Sequence, residues 1–194
     1  TLENYFKQAG VKAPTAAVLN GKEIGDGGDP APGGSLVELL DPSNPVNQVV
    51  NTFDDAETDK DYVKEGYVNL AEVGSRTWRG KPFNNNGLIQ ATAYGSKESS
   101  IISWFVTPAV NTAQMAVKKV TFDCISAYYK DGNKLEVYFL EKDGNNLKQT
   151  LLDVGTLPQN SEGYSDAKTL TGDLTSIGDK VGFIGFKFVG SETA

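Results

Sequence analysis

From residue 46 onward, apolar and polar residues alternate in short stretches, each closed by Gly, Asn, Asp or Pro, with no long apolar run at helical spacing. Strict alternation sends every second side chain to one face, so a chain built this way folds into half-buried strands. Strands are predicted at 47–54, 75–80, 87–94, 101–107, 117–128, 134–141, 147–153, 167–173 and 181–189. Val120, Phe122 and Cys124 share one face, opposite Thr121 and Asp123. Leu135, Val137 and Phe139 lie opposite Glu136 and Tyr138. The segment VGFIGFKFVG is apolar on both faces, with Ile184, Phe186 and Phe188 on one, which places it centrally in a sheet. KDGNK (130–134) and KDGNN (142–146) read as tight hairpin turns, because Gly and Asn tolerate the positive φ such turns require. Short strands without crossover helices predict an all-β fold, a jelly-roll β-sandwich of galactose-binding-like or concanavalin-like type.

Residues 1–45 differ. They hold Pro14, Pro30, Pro32 and Pro42, with Pro45 at the border, and the glycines 25, 27, 28, 33 and 34. TLENYFKQAG spaces Leu2, Tyr5, Phe6 and Ala9 as a short helix would, and SLVELL (35–40) is a second orderable piece. GDGGDPAPGG between them reads as a linker. The expected organisation is an extension over 1–45 and one β-domain over 46–194.

Charge and rare residues narrow the function classes. Lys+Arg is 18 against Asp+Glu 25, a net of −7, and no basic patch stands out, so a nucleic-acid partner is not expected. The chain has no histidine, which removes Ser-His-Asp triads, Cys-His pairs and His-bearing zinc sites. The single cysteine, Cys124, allows no intrachain disulfide and reads as a small core residue. No apolar run is long enough to span a bilayer. The N-terminus at Thr1 lacks a signal-like segment, so a processed or trimmed chain is expected, with a lipid anchor conceivable upstream. No GxSxG, P-loop or dinucleotide fingerprint occurs, and a non-enzyme is expected.

A series of motifs carries a family resemblance. VVNTFDDAE opens the domain, followed by EGYVNLAEVGSRTWRGKPF, GLIQATAYGS, SWFVTPAV and VKKVTFDCISAYYKDGNKLEVYF. In order and spacing this series resembles the choice-of-anchor J family of β-sandwich domains, found in surface and secreted lipoproteins of gut bacteria. The resemblance implies a jelly roll at the cell surface or secreted. It fails at both ends: the first 45 residues have no counterpart, and the family's closing strand is not found. Either that strand is cut away, or SLVELL replaces it, or an edge is left open to a partner.

Two groups of residues are candidate sites. Trp78 is flanked by Arg76 and Arg79. An indole can stack on the apolar face of a pyranose while Arg grips its hydroxyls, and the alternative is a half-buried Trp with Arg stacked on it. Tyr94, Tyr128 and Tyr129 extend such a platform. Tyr128 follows the inward register of Phe122, so Tyr129 is the one expected to face solvent. Trp104, between Ile102 and Val106, is expected in the core. The acidic segment 54–65 offers Asp54, Asp55, Glu57, Asp59 and Asp61 as oxygen ligands for a structural calcium ion. The alternative there is a solvated charge run. GDGGD (25–29) is a second, weaker oxygen-rich loop. The leading functional expectation is a monomeric, non-catalytic module that binds a carbohydrate or glycoconjugate. A structural or adhesive module contacting a surface protein through an open sheet edge is the alternative.

Overall fold

The computed structural model describes residues 35–192 and two short strands ahead of them, β1 (Val18–Leu19) and β2 (Lys22–Glu23), which pair antiparallel. The expected helix in TLENYFKQAG, the linker GDGGDPAPGG and the loop GDGGD lie outside the described residues. The fold is all-β: the ladders are antiparallel, and helix is confined among the described residues to α1 (Leu36–Leu39) and two single 3-10 turns.

One large sheet organises the chain. Its order is β10 (Asn146–Leu151), β9 (Lys134–Asp143), β12 (Val181–Gly190), β6 (Ile101–Val106) and β3 (Val68–Val73), with β7 (Val110–Asn111) added beside β12. The apolar strand VGFIGFKFVG sits centrally, as its two apolar faces require. Its alternate residues enter different cores. Phe183 joins Leu70, Trp104, Val106 and Leu140 on one face, under Leu36 and Leu40. Ile184 joins Val137 and Phe139 on the other face. There they meet a separate ribbon of β8 (Lys119–Cys124) and β11 (Lys168–Asp173), which contributes Val120, Phe122, Cys124 and Leu170. A third cluster on that second face gathers Phe105, Trp78, Tyr62 and Ala56, with Ile89 from the small ribbon β4 (Arg79–Gly80) and β5 (Ile89–Gln90). Full burial of a large apolar side chain such as Phe139 or Leu140 contributes about 1.5–3 kcal/mol, so these three clusters hold the large sheet to the ribbons and loops packed on it.

Several sequence expectations need correction. Residues 47–54 form no strand; Val46 makes a single bridge to Val110. The strands expected at 75–80 and 87–94 shrink to two residues each. SLVELL is a helical turn rather than a substitute closing strand: Ser35 caps it, its N–H donating to the Glu38 carboxylate at 3.3 Å. β3 was not expected, yet it forms one edge of the large sheet. KDGNK is a turn, closed by Asn133 N–H donating to Lys130 O at 3.0 Å, but it joins no hairpin, since β8 pairs with β11 and β9 with β10 and β12. KDGNN does close the β9–β10 hairpin, with Asp143 opposite Asn146 and Gly144 at φ 59°. Positive φ at the first loop residue is what a two-residue turn matched to strand twist demands.

Candidate functional site

The Trp78 platform does not form. Asn69, on the edge strand β3, accepts from Trp78 N–H at 2.8 Å and donates to Trp78 O at 2.6 Å. This bracket turns the indole inward, where its Nε1–H donates to Ser103 O at 3.2 Å and its ring lies 6.2 Å from Phe105. Only 8% of Trp78 is exposed, so no ring face is free for a sugar. Neither arginine stacks on it. Arg76 donates to Tyr94 O at 2.8 Å, and Arg79 is shared between Gln90 Oε1, at 3.2 and 3.1 Å, and the Asp59 carboxylate, at 3.6 Å. The cation–π contacts among the described residues belong instead to Lys187, over the rings of Trp104 and Tyr138. Trp104 is in the core as expected, its Nε1–H donating to the Glu72 carboxylate.

The acidic segment is laced to β4 rather than free. Asp59 N–H donates to Gly80 O at 2.9 Å, and Gly80 N–H donates to Lys60 O at 2.8 Å. A Cβ on Gly80 would lie 2.1 Å from Glu57 O, so only glycine permits this approach. The five carboxylates point to separate partners. Asp54 accepts from Thr52 Oγ1 at 2.7 Å, Asp61 from Thr77 Oγ1 at 2.7 Å, and Glu57 pairs with Lys60. Asp59 takes Lys81 at 3.3 Å besides Arg79. Asp55 accepts from Lys64 Nζ at 2.7 Å and Tyr62 Oη at 2.8 Å; these two bonds hold its carboxyl below the usual carboxylate value. Among the described residues no three such groups converge to hold a metal ion.

A different aromatic site emerges at the end of the β8–β11 ribbon. Past Cys124 and before Lys168 the two chains stay joined. Ser165 N–H donates to Ser126 O at 2.8 Å, and Ser126 N–H to Ser165 Oγ at 3.0 Å. Ser126 Oγ–H donates to Pro158 O, and Ala127 bridges Tyr164. Tyr128 N–H then donates to Gly163 O at 2.9 Å and Tyr129 N–H to Asn160 O at 2.7 Å. Asn160 in turn donates from Nδ2 to Tyr164 O at 3.2 Å and accepts from Glu162 N–H at 3.0 Å. These bonds hold two tyrosines out: Tyr128 is 62% and Tyr164 63% exposed, their rings edge to face at 6.1 Å and 73°.

The expected exposures of Tyr128 and Tyr129 are therefore exchanged. The strand register stops at Cys124, and Tyr128 adopts φ 49°, a left-handed conformation that breaks the alternation and throws its ring outward. Tyr129 is half-buried instead. Tyr164 was not singled out from sequence. The available signal was a lone aromatic within the turn-forming run NSEGYSD, where no core strand can form. Both tyrosine hydroxyls and the Glu162 carboxylate lack partners among the described residues, so a ligand can take them. No family model, no curated protein and no solved structure matches this chain.

Proposed function

We propose that this chain is a non-catalytic binding domain that holds a glycan on the Tyr128–Tyr164 pair, within a jelly-roll β-sandwich borne by a bacterial surface lipoprotein. The observation that carries the reading is Tyr128 itself. A bulky residue in left-handed backbone costs on the order of 1–3 kcal/mol, and here that backbone presents an aromatic ring to water. Two rings at a steep angle offer one face to a pyranose and an edge to its neighbour, while hydroxyls and the Glu162 carboxylate suit sugar hydroxyls. The resemblance of the motif order to choice-of-anchor J domains supports the sandwich and the surface setting. A glycan array tests the reading: the wild-type chain is expected to retain particular glycans, and the Tyr164→Ala chain to lose them. Retention by neither, or equally by both, contradicts it.

The open edge of β10 favours a second reading, a module that pairs with a surface protein. Among the described residues no strand lies beyond β10, and Leu151 is exposed there. Lys148 in mid-strand opposes such pairing.

A further inference from the structure

The loop 93–98 grips a carboxylate. Gly95 N–H donates to one oxygen of Glu192 at 2.8 Å, and Lys97 N–H donates to the other. Gly95 at φ 72° and Lys97 at φ 61° are left-handed, and this pattern turns both amides toward one point, the geometry of an anion-binding nest. Arg76 reinforces it. Its guanidinium donates to Tyr94 O at 2.8 Å and lies 3.6 Å from where a Cβ on Gly95 would sit. Neither Arg76 nor Lys97 joins an ion pair among the described residues. The one other acid of the loop, Glu98, turns aside, accepting from Ser75 Oγ at 3.2 Å.

The occupant is a side chain of this same molecule, beyond the last strand. β12 ends at Gly190, and beyond it Glu192 N–H donates to Glu98 O at 3.0 Å. Tyr94, the residue before Gly95, is 86% exposed, with nothing stacked on its ring among the described residues. We infer that this loop is a binding site for a carboxylate-bearing sugar, held closed by Glu192: the acid group of the ligand takes the Gly95 and Lys97 amides, and its ring lies against Tyr94. The site is separate from the Tyr128–Tyr164 pair and stands without it.

Backbone amide NMR tests the inference, with Glu192→Ala and the isosteric Glu192→Gln titrated with glucuronate and, separately, with glucose. Glucuronate is expected to shift the Gly95 and Lys97 amides in both variants. In the wild-type chain its apparent affinity should be about tenfold weaker or less, because the site is open only part of the time. Glucose is expected to leave these amides in place, and Tyr94→Ala in the Glu192→Gln background to weaken glucuronate severalfold. Well-dispersed variant spectra in which glucuronate leaves Gly95 and Lys97 unmoved, or in which glucose shifts them equally, would overturn it.

Discussion

The side-chain amide of Asn69 takes both backbone polar groups of Trp78, accepting from its N–H at 2.8 Å and donating to its carbonyl at 2.6 Å. Asn69 thus stands in for a missing neighbouring strand, and its Nδ2 also reaches Tyr62 O at 3.1 Å. Replacing Asn69 by Ala removes the partner of Trp78 N–H and of Tyr62 O, while Trp78 O keeps Tyr62 N–H at 3.0 Å; the cost is about 1–3 kcal/mol for each orphaned group that water does not reach. Denaturant melts of Asn69→Ala are expected to show a loss of about 3 kcal/mol. A loss below about 1 kcal/mol would mean that the bracket does not position Trp78.

Calcium is expected to leave the melting temperature unchanged, and so is a chelator. Asp55, Glu57 and Asp59 are already paired with lysine or arginine, and Asp54 and Asp61 each accept a hydrogen bond from a threonine hydroxyl, so a divalent ion would have to break these contacts to gather ligands. A rise in melting temperature with calcium, absent with magnesium, contradicts this.

Stability should fall at both ends of the pH scale for separate reasons. The Asp55 carboxyl is lowered, first by Lys64 and then by Tyr62, so its contribution is present above the ordinary carboxylate value and is lost as pH falls through the folded value. Burial raises Tyr62 and Tyr67, and pushes Tyr138 up to about 12; these phenols favour the fold below about pH 10, an advantage lost as pH climbs through their raised values. Melting temperature against pH is expected to lose part of its acid slope in Asp55→Asn while the alkaline slope persists. Superimposable acid slopes would contradict the Asp55 assignment.

Cys124 faces the Val120 and Phe122 side of its ribbon, and burial pushes its thiol up to about 11. At pH 8 only about a thousandth of it is thiolate, so a disulfide reagent should react slowly with the native chain and fast after denaturation. Rapid native labelling would place the thiol in solvent.

The parts of this fold that are legible in sequence are those where alternation is long enough to set a face. The strands at 101–107, 134–141, 147–153, 167–173 and 181–189 each span enough residues for the pattern to show, and VGFIGFKFVG reveals its central place by being apolar on both sides. β3 escapes because Asn69 and Ala71 give its inner face a weak signature, and the role of Asn69 depends on Trp78, nine positions away in sequence and brought within 2.8 Å by the fold. The pairing of β8 with β11 is non-local, and nothing within either strand encodes its partner. The orientations of the candidate aromatic residues are misread for the same reason. Extending period two through 75–80 and 117–128 assumed strands that stop short, so Trp78 was turned outward and Tyr128 inward, the reverse of what their backbones do.

The Tyr128–Tyr164 pair can be separated from stability by Tyr128→Gly, since glycine accepts φ 49° without strain; the chain is expected to melt within about 1 kcal/mol of wild type while losing glycan. The most direct measurement follows the aromatic proton resonances of both tyrosines during titration with a glycan retained on the array. The account predicts that both rings shift together and saturate at one concentration, accompanied by amides in 126–129 and 160–165. Binding that leaves these two rings unmoved, or that persists in full in Tyr128→Gly, would contradict it.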